Sequence, residues 1–286
     1  MKFLKYHALG NDYLVLDSGN NDLPVISLTA EQVRKICNRN FGLGADGILV
    51  GSKDDSGKYF NLQILNPDGS TAEKSGNGLR IFARFLRDQK QVNESQFNIM
   101  TSGGLVTALI ENSGSNVSVE MGKISFQSDK IPVAGKIREV LNETIDIDGQ
   151  RLKFCAATIG NPHCVVLNGI QTKDEVRRIG PLIETHPNFP NRINVQFLEV
   201  LDRGTIRIEI WERGAGYTLA SGSSSCAAAS VAHKLGLCEN KITVLMPGGQ
   251  IYITVNEDYS ISMRGPVTRV GRMSLDPECL DHKASA

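Results

Sequence analysis

The sequence lacks the features that mark membrane-spanning, secreted and nucleic-acid-binding chains. No stretch approaches the ~18 unbroken apolar residues of a membrane-spanning helix. Basic and acidic residues number 31 each, so no net positive charge attracts nucleic acid or an anionic membrane. The first residues, 1–7, are too polar for the apolar core of a secretory signal. We therefore expect a cytoplasmic protein without a nucleic-acid partner or membrane association.

The cysteines are too scattered for a zinc site, a redox pair or a disulfide framework. The chain has 286 residues and six cysteines, none at the C-x-x-C spacing. They are Cys37, Cys155, Cys164, Cys226, Cys238 and Cys279. The sequence predicts free and mostly buried thiols.

One glycine-rich stretch has the form of a dinucleotide-binding motif but lacks its setting. Residues 42–47 read Gly-Leu-Gly-Ala-Asp-Gly. The motif needs a strand before it and a helix after it, whereas this stretch follows a polar segment and precedes an apolar run. We therefore expect no dinucleotide site.

Many short alternating segments and a few helical ones predict an α+β fold. The predicted strands are 60–65, 105–110, 115–120, 204–211, 241–246 and 250–255. The predicted helices are 29–38, 77–89, 172–184 and 223–236. Small residues on most faces of 226–232 indicate a helix buried by a surrounding sheet.

An internal repeat organises the chain. A strand, a glycine-containing turn and a Ser-Gly helix start occur at 64–76 and again at 210–222, offset by 146 residues (221 − 75). A second repeated motif is Gly-Asn, which occurs at 10–11 and again at 160–161, offset by 150 residues (160 − 10). Two similar halves are predicted, the alternative being chance similarity among glycine-rich turns. In similar halves, matching loops would face one cleft, a common place for a ligand.

The two Ser-Gly helix starts are candidate anion-binding sites. The first helical turn leaves backbone N–H groups without intrahelical partners, and the helix dipole adds partial positive charge. Two such starts, at Ser75 and Ser221, would suit a carboxylate. The alternative is that both serines are simple helix caps.

Two further segments carry candidate functional groups. His163 lies at a loop–strand junction, where it is either functional or a hydrogen-bonded structural histidine. Glu212 and Arg213 follow a strand and enter a glycine-rich turn. The arginine is either a bidentate carboxylate clamp or a partner in a surface ion pair.

These residues resemble the diaminopimelate epimerase family, the amino-acid racemases and epimerases that use no pyridoxal phosphate. The resemblance covers essentially the whole chain and rests on eight blocks in order. They are 7–12 (HALGND), 42–47 (GLGADG), 66–70 (NPDGS), 76–80 (GNGLR), 160–164 (GNPHC), 192–195 (RINV), 212–216 (ERGAG) and 247–249 (PGG).

The resemblance implies an α+β fold of two pseudo-symmetric domains, each a curved, mostly antiparallel sheet wrapped around a central helix. The domains would be 1–120, completed by 266–286, and 121–265, with the active site in the cleft between them. It further implies an amino-acid substrate, no cofactor and no metal, a place in lysine biosynthesis and a possible homodimer.

The resemblance also assigns residues. Those matching substrate-binding positions are Asn11, Asn66, Asn161, Asn194 and Arg213. Those matching the loops that hold the α-carboxylate are Gly76, Asn77, Gly222 and Ser223. His163 and Glu212 match residues that support the catalytic pair.

The sequence departs from the family at the catalytic pair itself. The family uses two cysteines, one on each face of the substrate Cα, and Ser75 and Ser221 stand at those positions. A thiol has a pKa of about 8.5 and a hydroxyl one near 15.7, a gap of about 7 units or on the order of 10 kcal/mol. Two helix dipoles contribute ~1–2 kcal/mol each, so the two-thiol mechanism does not carry over.

Three hypotheses follow. The protein is an epimerase whose Ser75 and Ser221 work with help from His163, Glu212 or Lys74, or a relative with a shifted reaction. It is alternatively an amino-acid-binding pseudoenzyme. In the third hypothesis it is an inactive double Cys→Ser form of an ordinary epimerase, against which the run Ser221-Gly222-Ser223-Ser224-Ser225 argues mildly.

Overall fold

A computed structural model describes residues 1–16, 28–111, 114–167, 169 and 172–281. The strands are β1 (Lys2–Ala8), β2 (Asn11–Leu16), β3 (Ile48–Lys53), β4 (Phe60–Leu65), β5 (Thr71–Ala72), β6 (Gln96–Thr101), β7 (Gly104–Ile110), β8 (Asn116–Lys123), β9 (Glu143–Ile147), β10 (Gln150–Thr158), β11 (Pro162–Val166), β12 (Asn194–Asp202), β13 (Thr205–Glu212), β14 (Gly216–Thr218), β15 (Lys241–Met246), β16 (Gly249–Val255), β17 (Ser260–Pro266) and β18 (Thr268–Ser274). The helices are α1 (Ala30–Cys37), α2 (Gly76–Asp88), α3 (Lys173–Glu184), α4 (Gly222–Lys234) and α5 (Glu278–Asp281).

The chain divides into two compact units. The first comprises Met1–Val119 and the C-terminal segment that begins at Pro266, and the second comprises Glu120–Gly265. The C-terminal segment belongs to the first unit because β18 pairs antiparallel with β1, from Lys2 opposite Ser274 to His7 opposite Thr268.

The first unit is a mostly antiparallel sheet with two parallel pairs. β1 pairs antiparallel with β2, which runs parallel to β3. β3 pairs antiparallel with β4, which runs parallel to β6. Antiparallel pairs join β6 to β7 and β7 to β8.

The second unit repeats this order of pairings. β10 pairs antiparallel with β11, which runs parallel to β12. β12 pairs antiparallel with β13, which runs parallel to β15. Antiparallel pairs join β15 to β16 and β16 to β17. The pattern of parallel and antiparallel pairs is therefore the same in both units.

In the described residues each sheet has helices on both faces, and in the first unit the short α5 packs beside α1. In the first unit, α1 packs against one face of the sheet and α2 against strands β1, β2, β3 and β7. In the second unit, α3 packs on β12 and β13, and α4 contacts β10, β11, β12, β13, β15 and β16. The central helices α2 and α4 are those that the sequence predicted, whereas the covering role of α1 and α3 was not predicted.

The alternation of side chains along a strand decides which residues face the central helix. In β2, Leu14 and Leu16 join the core cluster of α1, so Tyr13 lies on the opposite face, towards α2. In β11, Cys164 and Val166 join the cluster of α3. His163 therefore faces α4.

The two central helices are buried for different reasons. Helix α2 buries large apolar side chains such as Phe82 and Leu86. Helix α4 buries a run of small residues that includes Cys226, three alanines and Ser230. Helix α4 is thus buried by the strands around it, as the sequence predicted.

All six cysteines are free, and five are buried, Cys279 being partly exposed. Residues 42–47 follow α1 and precede β3, which is the reverse of the dinucleotide motif. Within the described residues, no helix has both the length and the apolar character needed to cross a membrane.

Candidate functional site

The N-terminus of α2 is the candidate site of the first half of the chain and is called the first half-site. Ser75 caps the helix, its Oγ accepting a 3.1 Å hydrogen bond from the Gly78 N–H. The N–H groups of Gly76 and Asn77 belong to the first turn, where no intrahelical acceptor exists. Gly76 and Asn77 are buried and Ser75 is half-buried. The helix start is thus a sheltered, electropositive surface.

A chain of hydrogen bonds fixes the Asn77 side chain. Arg80 Nη2 donates to Asn77 Oδ1 at 2.8 Å, and Asn77 Nδ2 donates to Asn11 Oδ1 at 3.0 Å. Asn11 Nδ2 in turn donates to Asp46 Oδ2 at 3.0 Å. Arg80 is completely buried. The charged ends of this chain, Arg80 and Asp46, orient both amides between them.

Asn66 lies in the turn that precedes this helix. Its backbone N–H donates to the carbonyl oxygen of Ser70 at 2.8 Å, and its Nδ2 donates to Ser70 Oγ at 2.9 Å. The side chain is half-buried. Asn66 therefore shapes the turn through its backbone and its side-chain amide.

One neighbour of Ser75 escaped the sequence analysis. The hydroxyl of Tyr13 lies 3.3 Å from Ser75 Oγ, and either oxygen can be the donor. Tyr13 is 6% exposed. The internal repeat points to Tyr13, because the 150-residue offset that aligns Asn11 with Asn161 also aligns Tyr13 with His163.

The second half-site is the N-terminus of α4, built in the same way. Ser221 caps the helix, with the Ser224 N–H donating to its Oγ at 3.5 Å. Asn161 Nδ2 donates to Ser223 Oγ at 3.2 Å. Ser221 is 4% exposed, so this helix start is more enclosed than its counterpart.

His163 supports this half-site as a neutral group. Its Nε2 lies 3.0 Å from Asn161 Oδ1, and the imidazole is completely buried. Burial lowers the pKa of His163 to about 3, with the charge of Arg213 acting in the same direction and the neighbouring Gln196 side chain opposing it. Because Asn161 Oδ1 is an acceptor, Nε2 carries the proton of the neutral ring. His163 is therefore uncharged at neutral pH and orients Asn161.

Asn194 joins the second half-site to the turn that follows β13. It sits opposite His163 in the parallel β11–β12 pair. Its Nδ2 donates to the Pro162 carbonyl at 2.8 Å, and its Oδ1 accepts from the Arg213 N–H at 3.0 Å. The amide of Asn194 thus holds the backbone of Arg213 in place.

The Glu212 and Arg213 side chains differ in exposure. Glu212 is half-buried and accepts a 3.2 Å bond from Thr218 Oγ1. The Arg213 guanidinium is exposed and donates to a neutral acceptor, the carbonyl oxygen of Asn191, at 3.0 Å. A guanidinium held at one nitrogen by a carbonyl keeps other N–H donors for a carboxylate.

A buried carboxylate that the sequence analysis missed anchors this turn. Glu184 is 3% exposed and accepts from Trp211 Nε1 at 2.6 Å and from the Gly214 N–H at 3.0 Å. It also pairs with Arg192. Glu184 therefore fixes the residues on both sides of Glu212 and Arg213.

Neither half-site is arranged as a metal centre. Across the part of the chain that the structure describes, no group of three or more His, Cys, Asp and Glu side chains is placed to hold a metal ion. The polar groups at the two helix starts are hydroxyls, amides and helix N–H groups, which suit an anionic organic ligand.

Comparison with known proteins assigns the chain to a family. The family model for diaminopimelate epimerase matches residues 3–127 and 155–270. Diaminopimelate epimerase 2 of Nostoc sp. is 57% identical over 278 residues, which cover 97% of this chain and 96% of that protein. The chain belongs to the diaminopimelate epimerase family. The diaminopimelate epimerase of Desulfitobacterium hafniense is 37% identical over 273 residues, 94% of this chain and 96% of that protein.

Solved structures confirm the diaminopimelate epimerase-like α+β fold at low sequence identity. A hydroxyproline epimerase from Agrobacterium vitis superposes with a TM-score of 0.65 at 17% identity, over 98% of this chain and 93% of that one. Methylitaconate-delta-isomerase superposes with a TM-score of 0.63 at 13% identity, over 100% of this chain and 98% of that one. The fold predicted from the family resemblance is therefore correct.

Proposed function

We propose that this diaminopimelate epimerase family member is an isomerase acting at the Cα of an amino acid. The proposed substrate is LL- or meso-diaminopimelate or a related amino acid, and the reaction is a proton transfer without cofactor or metal. The observation that carries the proposal is that both units contain the same arrangement at a helix N-terminus. In each unit a serine caps a helix, and the second residue of that helix is hydrogen-bonded to an asparagine. The pairs are Asn77 with Asn11 and Ser223 with Asn161.

The helix starts are suited to the α-carboxylate. First-turn N–H groups and the helix dipole favour an anion at Gly76 and Asn77 and at Gly222 and Ser223. Charge that develops on the carboxylate when Cα loses its proton would be stabilised by the same donors. The proposal therefore requires both helix starts to act on one substrate.

The remaining polar groups suit a substrate with a polar distal end. Asn66, Asn194 and Arg213 offer amides and a guanidinium, and diaminopimelate carries a second amino and carboxylate group. The exposed Arg213 side chain is the group best placed to meet a carboxylate from solution.

Proton transfer is assigned to the Ser75 and Ser221 positions, with Glu212 and His163 in support. A neutral imidazole whose pKa is about 3 is too weak a base to take the α-proton, so His163 acts by orienting Asn161. Lys74 adjoins Ser75. Burial lowers the pKa of Lys74, so its side chain is neutral more readily than that of an exposed lysine.

Exchange of the α-proton in D₂O tests the proposal. The full chain is incubated with LL- and meso-diaminopimelate and with a panel of L- and D-amino acids, and loss of the α-proton signal is followed by NMR. We expect exchange or inversion with diaminopimelate, and its loss in Ser75→Ala and Ser221→Ala. Ser230→Ala is the matched control because Ser230 is a buried serine of α4 remote from the helix start.

The second candidate is an amino-acid-binding pseudoenzyme, favoured by the high pKa of a serine hydroxyl. Trp211, the single tryptophan, adjoins Glu212 and gives a fluorescence signal for binding. Binding of an amino acid without exchange in any member of the panel would establish this candidate. The third possibility, a Cys→Ser form of an ordinary epimerase, is tested by reading codons 75 and 221 in the native gene.

A further inference from the structure

We infer that Tyr13 is the proton reservoir of the first half-site, exchanging its phenolic proton through the Ser75 hydroxyl. This rests on the proposed function, since it names the group that lets a serine take part in proton transfer. Tyr13 acts through Ser75 and is therefore a positioning residue. Its phenol oxygen lies 3.3 Å from Ser75 Oγ.

The hydrogen bonds at Ser75 leave its own proton available. The Gly78 N–H occupies one acceptor site of Ser75 Oγ at 3.1 Å. The hydroxyl retains one donor and one further acceptor site, and the phenol of Tyr13 can be either partner. Ser75 is thus able to give a proton on one side while it receives one from Tyr13.

The protein holds the Tyr13 ring in one place. A Cβ added to Gly47 would lie 2.6 Å from Tyr13 Cε1, so the ring rests on the backbone of Gly47. The strand is tied to the same segment on both sides of Tyr13, because the Leu14 N–H donates to the Gly47 carbonyl at 3.1 Å and the Asp46 N–H to the Asp12 carbonyl at 2.8 Å. This explains glycine at the end of the 42–47 motif.

One face of β2 serves the whole helix start. Asn11 and Tyr13 are two residues apart, so they point to the same side of the strand. Asn11 reaches Asn77 and Tyr13 reaches Ser75. The strand therefore positions the helix cap and its second residue together.

Tyrosine has the better acidity for the task. Its phenol has an ordinary pKa of about 10, against about 15.7 for a water-like hydroxyl. In the step that forms the new Cα–H bond, the Ser75 O–H bond breaks and its proton goes to the carbanion. The Tyr13 O–H bond breaks at the same time, its proton re-forms the Ser75 hydroxyl, and the charge ends on the phenolate. The reverse step takes the α-proton and restores the phenol.

The equivalent position in the second unit is arranged differently. His163 occupies the position equivalent to Tyr13, but its Nε2 bonds to Asn161 Oδ1. The two halves therefore differ in how they handle protons, and the reservoir belongs to the first.

Tyr13→Phe tests the inference, with Tyr6→Phe as the matched control. Tyr6 is the cross-strand partner of Tyr13 and bonds to Asp88 at 3.0 Å. Burial, with help from Asp88, raises the pKa of Tyr6 well above its ordinary value, so Tyr6 adds no ionisation at working pH. We expect α-proton exchange to fall by about 10²–10⁴-fold in Tyr13→Phe and to stay unchanged in Tyr6→Phe.

A pH profile separates proton transfer from a purely structural role. Wild type should show an alkaline limb in the exchange rate, and 3-fluorotyrosine at position 13 should move that limb to lower pH, because fluorine acidifies the phenol. Tyr13→Phe should lack the limb. Amide NMR spectra of each variant check the fold, and the fluorotyrosine variant retains the ring if the phenylalanine variant does not fold.

The outcomes separate this inference from the proposed function. If the wild type is active and Tyr13→Phe exchanges the α-proton at the same rate, Tyr13 is not the proton reservoir and the proposed function stands. The same conclusion follows if 3-fluorotyrosine at position 13 does not shift the alkaline limb of the exchange rate. A folded wild type that exchanges no amino acid overturns both.

Discussion

Asn77 Nδ2 lies 3.0 Å from Asn11 Oδ1 and joins the start of helix α2 to the start of strand β2. In the second unit, Asn161, the residue before β11, makes the equivalent contact with Ser223 of α4, its Nδ2 donating to Ser223 Oγ at 3.2 Å. The bond recurs although asparagine is replaced by serine on the helix. Its recurrence indicates that each half must hold the first helical turn in a fixed position.

Replacing Asn77 by alanine should destabilise the first unit. Arg80 Nη2 would lose the Asn77 Oδ1 acceptor in a completely buried position, and Asn11 Oδ1 would lose a donor. We expect the free energy of unfolding to fall by about 1–3 kcal/mol, as measured by urea denaturation. Ser223→Ala is the matched variant. It should lose less stability, because Ser223 is only half-buried and its partner, the Asn161 amide, is uncharged. Equal losses would contradict this account of Arg80.

The helix starts are the part of the site that the sequence specifies most directly. A serine followed by glycine before an apolar or small-residue run fits a helix cap, and both Ser75 and Ser221 cap their helices. The signal is local, since the cap, the turn and the helix all lie within a few residues. The repeat adds the expectation that the two starts are alike.

Contacts between distant segments could not be predicted in the same way. Tyr13 fits an ordinary strand residue, and only the folded sheet brings it to Ser75, 62 positions along the chain. Gln196 is similar, its Nε2 donating to Ser224 Oγ at 3.0 Å inside the second unit. Arg80 looks like a surface charge until the packing of α2 buries it. Pairings of this kind depend on strand register, which periodicity alone does not fix.

Gly47→Ala should disturb the Tyr13 ring. The new methyl would lie 2.6 Å from Tyr13 Cε1 and 2.7 Å from the Leu65 carbonyl oxygen, closer than atoms pack. We expect a loss of about 1–3 kcal/mol in the free energy of unfolding, measured by chemical denaturation, and slower α-proton exchange. Gly271→Ala is the control because a Cβ there meets nothing within 4 Å. Wild-type stability in Gly47→Ala would mean that the ring moves freely.

Acid should destabilise the fold through His163. An unfolded histidine has a pKa of about 6.5. Burial lowers that of folded His163 to about 3. Between these values the unfolded chain binds the extra proton, so the free energy of unfolding falls with decreasing pH by up to ~1.4 kcal/mol per pH unit. Urea midpoints from about pH 7 down to about pH 4 measure the slope, which should decrease in His163→Gln. The half-buried His186 supplies the control, His186→Gln, which should keep it. An unchanged slope in His163→Gln would assign the acid sensitivity to other groups.

Glu184→Ala should loosen the turn that carries Glu212 and Arg213. Trp211 Nε1 and the Gly214 N–H would lose their acceptor, at an expected cost of about 3 kcal/mol in the free energy of unfolding. Trp211 is the single tryptophan, so its fluorescence emission reports the loss of the bond directly. Glu239→Ala, which removes an exposed pair with Arg203, should cost at most about 1 kcal/mol and leave the emission unchanged. Wild-type emission in Glu184→Ala would show that the indole bond does not fix the turn.

Ser75→Cys combined with Ser221→Cys should raise α-proton exchange by about 10²-fold or more over wild type. A thiol ionises at a pKa of about 8.5 and a hydroxyl near 15.7, so each cysteine supplies a base that a serine can form only at a cost on the order of 10 kcal/mol. Both cap positions are needed, because one group takes the proton while the other returns one. NMR in D₂O measures the rate, with Ser230→Cys as the control for a new thiol elsewhere in α4. If the double variant binds diaminopimelate but exchanges no faster than wild type, the two caps are not the acid/base positions, and the proton must travel by another pair of groups.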